Sequence, residues 1–232
     1  MNNGTKLTDT ICPVIYPAAT DRATIIGMTG SGKTELAIRL LLSRIYVVIH
    51  DGKDETYREK KLWRYGFHRF ERLRDLVRET NRHGLPRVCY CPELKEARDE
   101  RINDEFFFWI YERHNTTCYV DEIGVITSNN QIPDGLYACL SRGRSRNVEL
   151  WTSTQRPKKI PESLLSEAQN FYLFALNLPQ DVQRVYEITG VEPDKIRKLS
   201  RYEFYYYNKN EKQALGPMRL RLSPADQAGQ IA

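Results

Sequence analysis

An α/β domain with a mainly parallel central sheet flanked by helices, closed by a C-terminal β-hairpin, is the fold class this sequence predicts. Short apolar runs such as Ala23-Thr24-Ile25-Ile26, Tyr46-Val47-Val48-Ile49 and Thr117-Cys118-Tyr119-Val120 alternate with segments of helical periodicity. Polar clusters follow these runs at their carboxyl ends, where parallel sheets hold ligands. A chain of 232 residues is long enough to bury one sizeable core. One domain is therefore expected over 21–222, with an arm over 1–20 that carries Pro13 and Pro17 and a frayed tail over 223–232.

The first strand is followed by Gly27-Met28-Thr29-Gly30-Ser31-Gly32-Lys33-Thr34, which fits the Walker A pattern G-x-x-x-x-G-K-[ST]. Its glycines let consecutive N–H groups turn toward a phosphate, and the helix read from Glu35 to Ser43 adds the partial positive charge of its N-terminus. Gly27, Thr29, Gly30, Ser31, Gly32, Lys33, Thr34 and Glu35 are the expected nucleotide-binding residues. Lys33 is expected on the β- and γ-phosphates of ATP, and the Thr34 hydroxyl on Mg²⁺.

The second strand ends in His50-Asp51-Gly52-Lys53-Asp54-Glu55. From Tyr57 to His83 the pattern is helical and basic, with Trp63, Tyr65 and Phe67 interleaved among nine lysines and arginines. Two readings of that stretch stay open: a surface that tracks a phosphate backbone, and a solvated helix face whose cations pair with Glu59, Glu71, Asp75 and Glu79. Val88-Cys89-Tyr90-Cys91 reads as a third strand, and Asp99 to His114 as a helix with Ile102, Phe106, Trp109 and Ile110 on its core face. The strand Thr117 to Val120 then runs into Asp121-Glu122, a Walker B arrangement. Asp121 is expected to hold Mg²⁺, and Glu122 to orient and deprotonate the attacking water.

A helix around Gly135 to Leu140 leads to Ser141-Arg142-Gly143-Arg144-Ser145-Arg146-Asn147. Its three arginines make a cationic tip, and a guanidinium there suits the charge of a transferring phosphoryl group in a neighbouring subunit. Because the tip lies between two strands in sequence, it is expected to project from the same sheet end as the phosphate loop. A DNA-backbone contact and a solvated turn remain alternatives. The strand Val148 to Ser153 ends in Thr154-Gln155-Arg156-Pro157, where the Gln155 amide can donate to a γ-phosphate and accept from water. A helix near Glu162 to Ala168, a strand Phe171 to Leu176, a helix Pro179 to Thr189 ended by Gly190, and a hairpin of Glu203–Tyr207 with Gly216–Leu222 complete the chain.

Composition narrows the classes. Thirty-five basic against thirty acidic residues give a net charge of +5, too mild to assign a partner alone. Five cysteines scattered among apolar residues read as reduced core thiols of an intracellular protein. Cys89-Tyr90-Cys91 is a C-x-C without a second pair at zinc spacing, so the sequence assigns no metal there. No apolar run approaches the roughly 18 residues of a membrane span.

Taken in order, the Walker A loop Gly27 to Thr34, Asp121-Glu122 and Thr154-Gln155-Arg156-Pro157 resemble the HerA/FtsK superfamily of ring-forming DNA-pumping ATPases. The resemblance covers roughly residues 20 to 190. His50-Asp51-Gly52-Lys53-Asp54-Glu55 is similar to that superfamily's acidic-Lys segment, although Pro is commoner where Gly52 stands. Counting back from the Thr-Gln-Arg-Pro segment, the arginine finger implied by the resemblance falls on Arg144, with Arg142 and Arg146 beside it. The lean outline is most similar to the genome-packaging ATPases of membrane-containing icosahedral double-stranded DNA viruses. The resemblance implies ATP-driven translocation of double-stranded DNA into a preformed capsid by a homo-oligomeric ring, a hexamer, in contact with capsid vertex or portal proteins. It implies the host cytoplasm or the virion as the location. Basic residues in 58–82, and Arg142 to Lys159 with Lys158 and Lys159, are the candidates for gripping DNA. Alternatives are a cellular or plasmid translocase of the same superfamily, a P-loop kinase of small molecules, and a nucleotide-binding assembly protein that does not pump DNA.

Overall fold

In the computed structural model, residues 15–127 and 131–221 are described. Among these, the strands are β1 (Ala23–Ile26), β2 (Val47–Asp51), β3 (His68–Phe70), β4 (Arg87–Tyr90), β5 (Thr116–Asp121), β6 (Val148–Thr154), β7 (Asn170–Phe174), β8 (Glu203–Asn208) and β9 (Gln213–Arg219). The helices are α1 (Lys33–Leu41), α2 (Thr56–Glu59), α3 (Leu73–His83), α4 (Leu94–Ala97), α5 (Glu100–Arg113), α6 (Asp134–Arg142), α7 (Glu162–Glu167), α8 (Pro179–Thr189) and α9 (Pro193–Arg197). One sheet takes all nine strands in the order β3-β4-β2-β5-β6-β1-β7-β8-β9. Every pairing from β3 through β7 is parallel, whereas β8 and β9 join antiparallel as the expected hairpin.

The central strands read as continuous apolar runs because both sheet faces are covered. Ile25, Val48, Ile49, Tyr119 and Trp151 are fully buried. Alternation along each strand divides them between two cores. Ile25, Ile49, Tyr119 and Trp151 face α1 and the hairpin, while Ile26, Val48, Val120 and Leu150 face α5, α6 and α8. Burying each such side chain contributes about 1.5–3 kcal/mol.

The expected helix from Tyr57 to His83 is a correction. The chain instead forms the single turn α2, a tight turn over Leu62–Tyr65, the edge strand β3, and α3. Lys61 and Gly66 take positive φ, of 50° and 79°, which no continuous α-helix tolerates. Just after each break Leu62 and Phe67 are drawn into the core cluster that also holds Cys89 of β4. Five of the nine cations of this stretch form ion pairs among the described residues: Arg58 and Arg69 with Asp54, Lys60 with Glu35, Arg72 with Glu93, and Arg78 with Asp75 and Glu79. Of the partners the sequence offered, Glu71 takes Arg69 and Asp75 and Glu79 take Arg78, and the phosphate-backbone reading of the other cations stays a proposal. The second hairpin strand begins earlier than expected, at Gln213. The short helix α9 carries only one buried residue, Ile196, too little for a periodic signal.

Of the arm expected over 1–20, residues 15–20 are described. The Ile15 carbonyl accepts the Tyr172 hydroxyl at 2.6 Å, and the Pro17 carbonyl accepts from Arg44 at 2.8 Å. The tail over 223–232 lies outside the described residues. Among the described residues no helix is long and apolar enough to cross a membrane.

Candidate active site

The sheet order brings three sequence-distant strand ends together. Strand β6 lies between β1 and β5, so Gln155 emerges between the phosphate loop and Asp121-Glu122. The loop folds tightly over the end of β1. Gly27 N–H donates to Thr154 O at 3.1 Å and Met28 N–H to Ala175 O at 2.9 Å, tying the loop to β6 and to the end of β7. Gly30 and Gly32 take φ of +73° and +114°, open to glycine at little cost. A Cβ on Gly27 would lie 2.5 Å from Phe174 Cβ and 2.8 Å from Ser31 Oγ, so only glycine fits that approach.

Lys33 opens α1 and is 7 % exposed. Its ammonium donates to Met28 O at 3.1 Å. Burial lowers its pKa, and the facing Asp121 and Glu122 carboxylates partly restore it. Ser31 Oγ is buried beside it without a hydrogen-bond partner among the described residues. A close backbone cradle, an orphaned hydroxyl and a half-desolvated lysine at a helix N-terminus are the donor set that an anionic phosphate fits. Thr29 Oγ1 donates to Gln155 Oε1 at 2.6 Å, which joins the loop to the glutamine.

Asp121 is held by three hydroxyls. Ser153 donates to Oδ1 at 2.7 Å, Tyr119 to Oδ1 at 3.1 Å, and Thr56 to Oδ2 at 2.8 Å. Glu122 sits at φ +60°, a left-handed conformation that costs a non-glycine residue about 1–3 kcal/mol. That backbone turns its carboxylate back over β6, where it accepts from Thr154 Oγ1 at 3.1 Å and from Gln155 N–H at 3.2 Å. Ser153 Oγ also accepts Glu122 N–H at 3.1 Å, so one hydroxyl holds the Asp121 carboxylate and the Glu122 backbone. Neither Thr56 nor Ser153 was legible as a site residue. Thr56 reaches Asp121 across 65 positions, and only the pairing of β2 with β5 shows it.

Further supports lie behind the site. Arg156 Nε donates to Asp181 Oδ2 at 2.8 Å, and Lys158 N–H to Asp181 Oδ1 at 3.1 Å. Asp181, fully buried in the first turn of α8, thus anchors the segment that carries Gln155. Arg201 donates to Gly30 O at 3.2 Å and Tyr202 N–H to Ser31 O at 2.9 Å, bracing the loop from the α9–β8 connection. Lys60 forms an ion pair with Glu35 at 2.9 Å.

The arginine tip is elsewhere. Arg142 ends α6 and Gly143–Arg146 form the turn before β6, so the tip lies at the amino end of the strands, opposite the phosphate loop. The expectation of a shared sheet end fails because α6 is a crossover: it returns the chain to the start of the next parallel strand. Seven residues of β6 separate the two ends by about 20 Å. Arg146 is committed within the subunit. Its guanidinium lies 4.2 Å over the Tyr111 ring and 3.2 Å from His114 Nε2, whereas Arg142 and Arg144 are exposed.

No family model matches the chain. It is 22 % identical over 206 residues to the DNA packaging ATPase P9 of Enterobacteria phage PRD1, covering 83 % of this chain and 84 % of that protein. Among solved structures, the genome packaging NTPase B204 of Sulfolobus turreted icosahedral virus 2 in complex with sulfate superposes with a TM-score of 0.71 at 17 % identity, over 89 % of this chain and all of that one. The same protein in complex with ATP-gammaS gives a TM-score of 0.70 at 16 % identity, over 88 % and 99 %. VirB4 of Thermoanaerobacter pseudethanolicus gives 0.65 at 12 % identity, over 89 % and 90 %. The chain therefore has the fold of the viral genome-packaging NTPases and of VirB4, as its HerA/FtsK-like motifs imply.

Proposed function

We propose that this chain is an ATPase that drives double-stranded DNA into a preformed viral capsid. The observation that carries the reading is the continuous network Thr29–Gln155–Glu122, with Asp121 and Lys33 facing it. It couples the phosphate loop to a carboxylate fit to act on water. The matches to phage PRD1 P9 and to B204 support packaging as the process.

In this reading the loop N–H groups from Gly30 to Thr34 hold the phosphates of ATP, and Lys33 exchanges Met28 O for a phosphate oxygen. Thr34 and Asp121 would hold Mg²⁺, which would neutralise phosphate charge. Glu122 orients water and takes its proton, while Gln155 sits between that water and the loop and responds to which nucleotide is bound. Arg144 or Arg142, about 20 Å from its own site, serves a neighbour's nucleotide, so turnover requires a ring, for which six subunits is our reading. Capsid vertex proteins are the expected docking partners, in the host cytoplasm or the virion.

Phosphate release by the full chain, measured with and without duplex DNA, tests the assignment. Duplex should stimulate turnover regardless of sequence. DNA binding should weaken steeply with salt, its slope about −0.9 for each phosphate contacted. No release without a small-molecule acceptor would favour a kinase, and salt-independent DNA binding would count against translocation. Protection of DNA from nuclease by added empty capsids separates packaging from cellular translocation.

A further inference from the structure

The C-x-C segment that the sequence left unassigned gains a third polar partner in the fold. Cys89 and Cys91, in and just beyond β4, point to the same face as Asp51 at the end of β2. All three are at most 1 % exposed. One ligand atom from each lies within 4.8 Å of the others. The two sulfurs are 3.6 Å apart, and Cys91 Sγ lies 3.9 Å from Asp51 Oδ2. Sulfurs bound at about 2.3 Å to a tetrahedral zinc lie about 3.8 Å from each other. The thiols thus already stand at the spacing a shared metal imposes.

A second, independent observation points to a cation. Asp51 Oδ2 accepts Tyr57 N–H at 3.1 Å and the Glu55 N–H lies near the carboxylate, but Oδ1 is buried with no partner at hydrogen-bond geometry among the described residues. A carboxylate oxygen without a donor is costly in an interior lined by Ile49, Leu62 and Phe67.

We propose that Asp51, Cys89 and Cys91 form a buried Zn²⁺ site, with water in the fourth tetrahedral position, separate from the Mg²⁺ expected at Thr34 and Asp121. Two sulfur donors and a single oxygen suit zinc and exclude Mg²⁺, which requires near-octahedral oxygen. On binding, both thiols release their protons to solvent, and the carboxylate binds in its charged form. Three anionic ligands around Zn²⁺ leave one negative charge, with the Arg69 guanidinium close enough to Cys91 to feel it. Asp51 is the register partner of Asp121. The metal would therefore clamp β2 to β4 one strand away from Asp121 and fix the sheet end on which the candidate active site stands.

The site does not depend on the ATPase reading, and its test needs no nucleotide. The full chain, purified under reducing conditions, is assayed for bound metal by elemental analysis. It is also titrated with Co²⁺ and Zn²⁺ against a chromophoric chelator. About one zinc per chain is expected, and Co²⁺ should give a thiolate charge-transfer band and tetrahedral visible absorption that Zn²⁺ displaces. Cys89→Ser and Asp51→Asn should lose stoichiometric metal, while Cys139→Ser, on the opposite sheet face, should keep it. If the site variants do not fold, the wild-type cobalt spectrum decides. A folded wild-type chain that takes up neither metal overturns the proposal, as does full zinc retention by Cys89→Ser or a Cys89–Cys91 disulfide in non-reducing mass spectrometry.

Discussion

Replacing Ser153 by Ala tests whether one hydroxyl aligns both acidic residues. Ser153 is fully buried; its Oγ donates to Asp121 Oδ1 at 2.7 Å and accepts Glu122 N–H at 3.1 Å. The substitution leaves that N–H without its acceptor, while Asp121 keeps the Tyr119 and Thr56 hydroxyls. An unsatisfied buried donor costs about 1–3 kcal/mol. Because Glu122 is only half-buried, about 1.5 kcal/mol is expected. With a urea m-value of about 3 kcal/mol/M, the unfolding midpoint should fall by about 0.5 M. Turnover should fall about tenfold, since Glu122 then holds its left-handed conformation with one bond fewer, and 1.4 kcal/mol is a factor of ten. The control is Thr152→Val, which removes the Thr24–Thr152 hydroxyl contact at 3.2 Å, beside Ser153 in β6 but on the other sheet face. It should cost comparable stability and leave turnover intact. Urea titration and steady-state phosphate release read the two effects, and nucleotide affinity without added Mg²⁺ should be unchanged. Unchanged turnover in Ser153→Ala, or an equal loss in Thr152→Val, would refute the alignment argument.

The other predictions concern binding, chemistry and assembly. Lys33→Ala should lose nucleotide binding, whereas Glu122→Gln should bind normally and lose about 10²–10⁴-fold in hydrolysis, as equilibrium binding set against phosphate release will show. Asp181→Ala removes the buried partner of Arg156 and of Lys158 N–H; because the Arg156 side chain is about one-third exposed and water can reach it, the fold should lose about 1–3 kcal/mol, read as a drop in the denaturant midpoint. Arg144→Ala should fold and bind nucleotide yet lose about 10³–10⁵-fold in turnover. Mixing it with Lys33→Ala should restore some activity, because a mixed ring sets an intact loop against an intact arginine. No rescue in demonstrably mixed rings would argue against a finger in trans.

Much of the fold was legible because each of its signals is local. Ala23–Ile26 and Pro179–Thr189 agree with their sequence bounds, since an apolar run between polar turns and an N-terminal proline with a C-terminal glycine act within a few residues. The stretch from Tyr57 to His83 was misread for the opposite reason. Its cations mimic an exposed helix face, and the positive φ at Lys61 and Gly66 is fixed by Leu62 and Phe67 docking into the core cluster that also holds Cys89 of β4, a contact no local pattern carries.

The sequence by itself determined which chemistry-bearing residues stand at the ends of strands. Glycines at fixed spacing, a lysine at a helix start, paired carboxylates after an apolar run and a glutamine after another each specify a local geometry, whatever lies beside them. Only the tertiary structure decided which ends meet. Strand order put β6 between β1 and β5, recruited Thr56 and Ser153 to Asp121, and set Asp51 against Cys89 and Cys91. It also sent the arginine tip to the amino end of the strands. Strand direction and neighbour choice are settled by burying two opposite faces at once, a constraint that spans the whole chain and is written in no single segment of it.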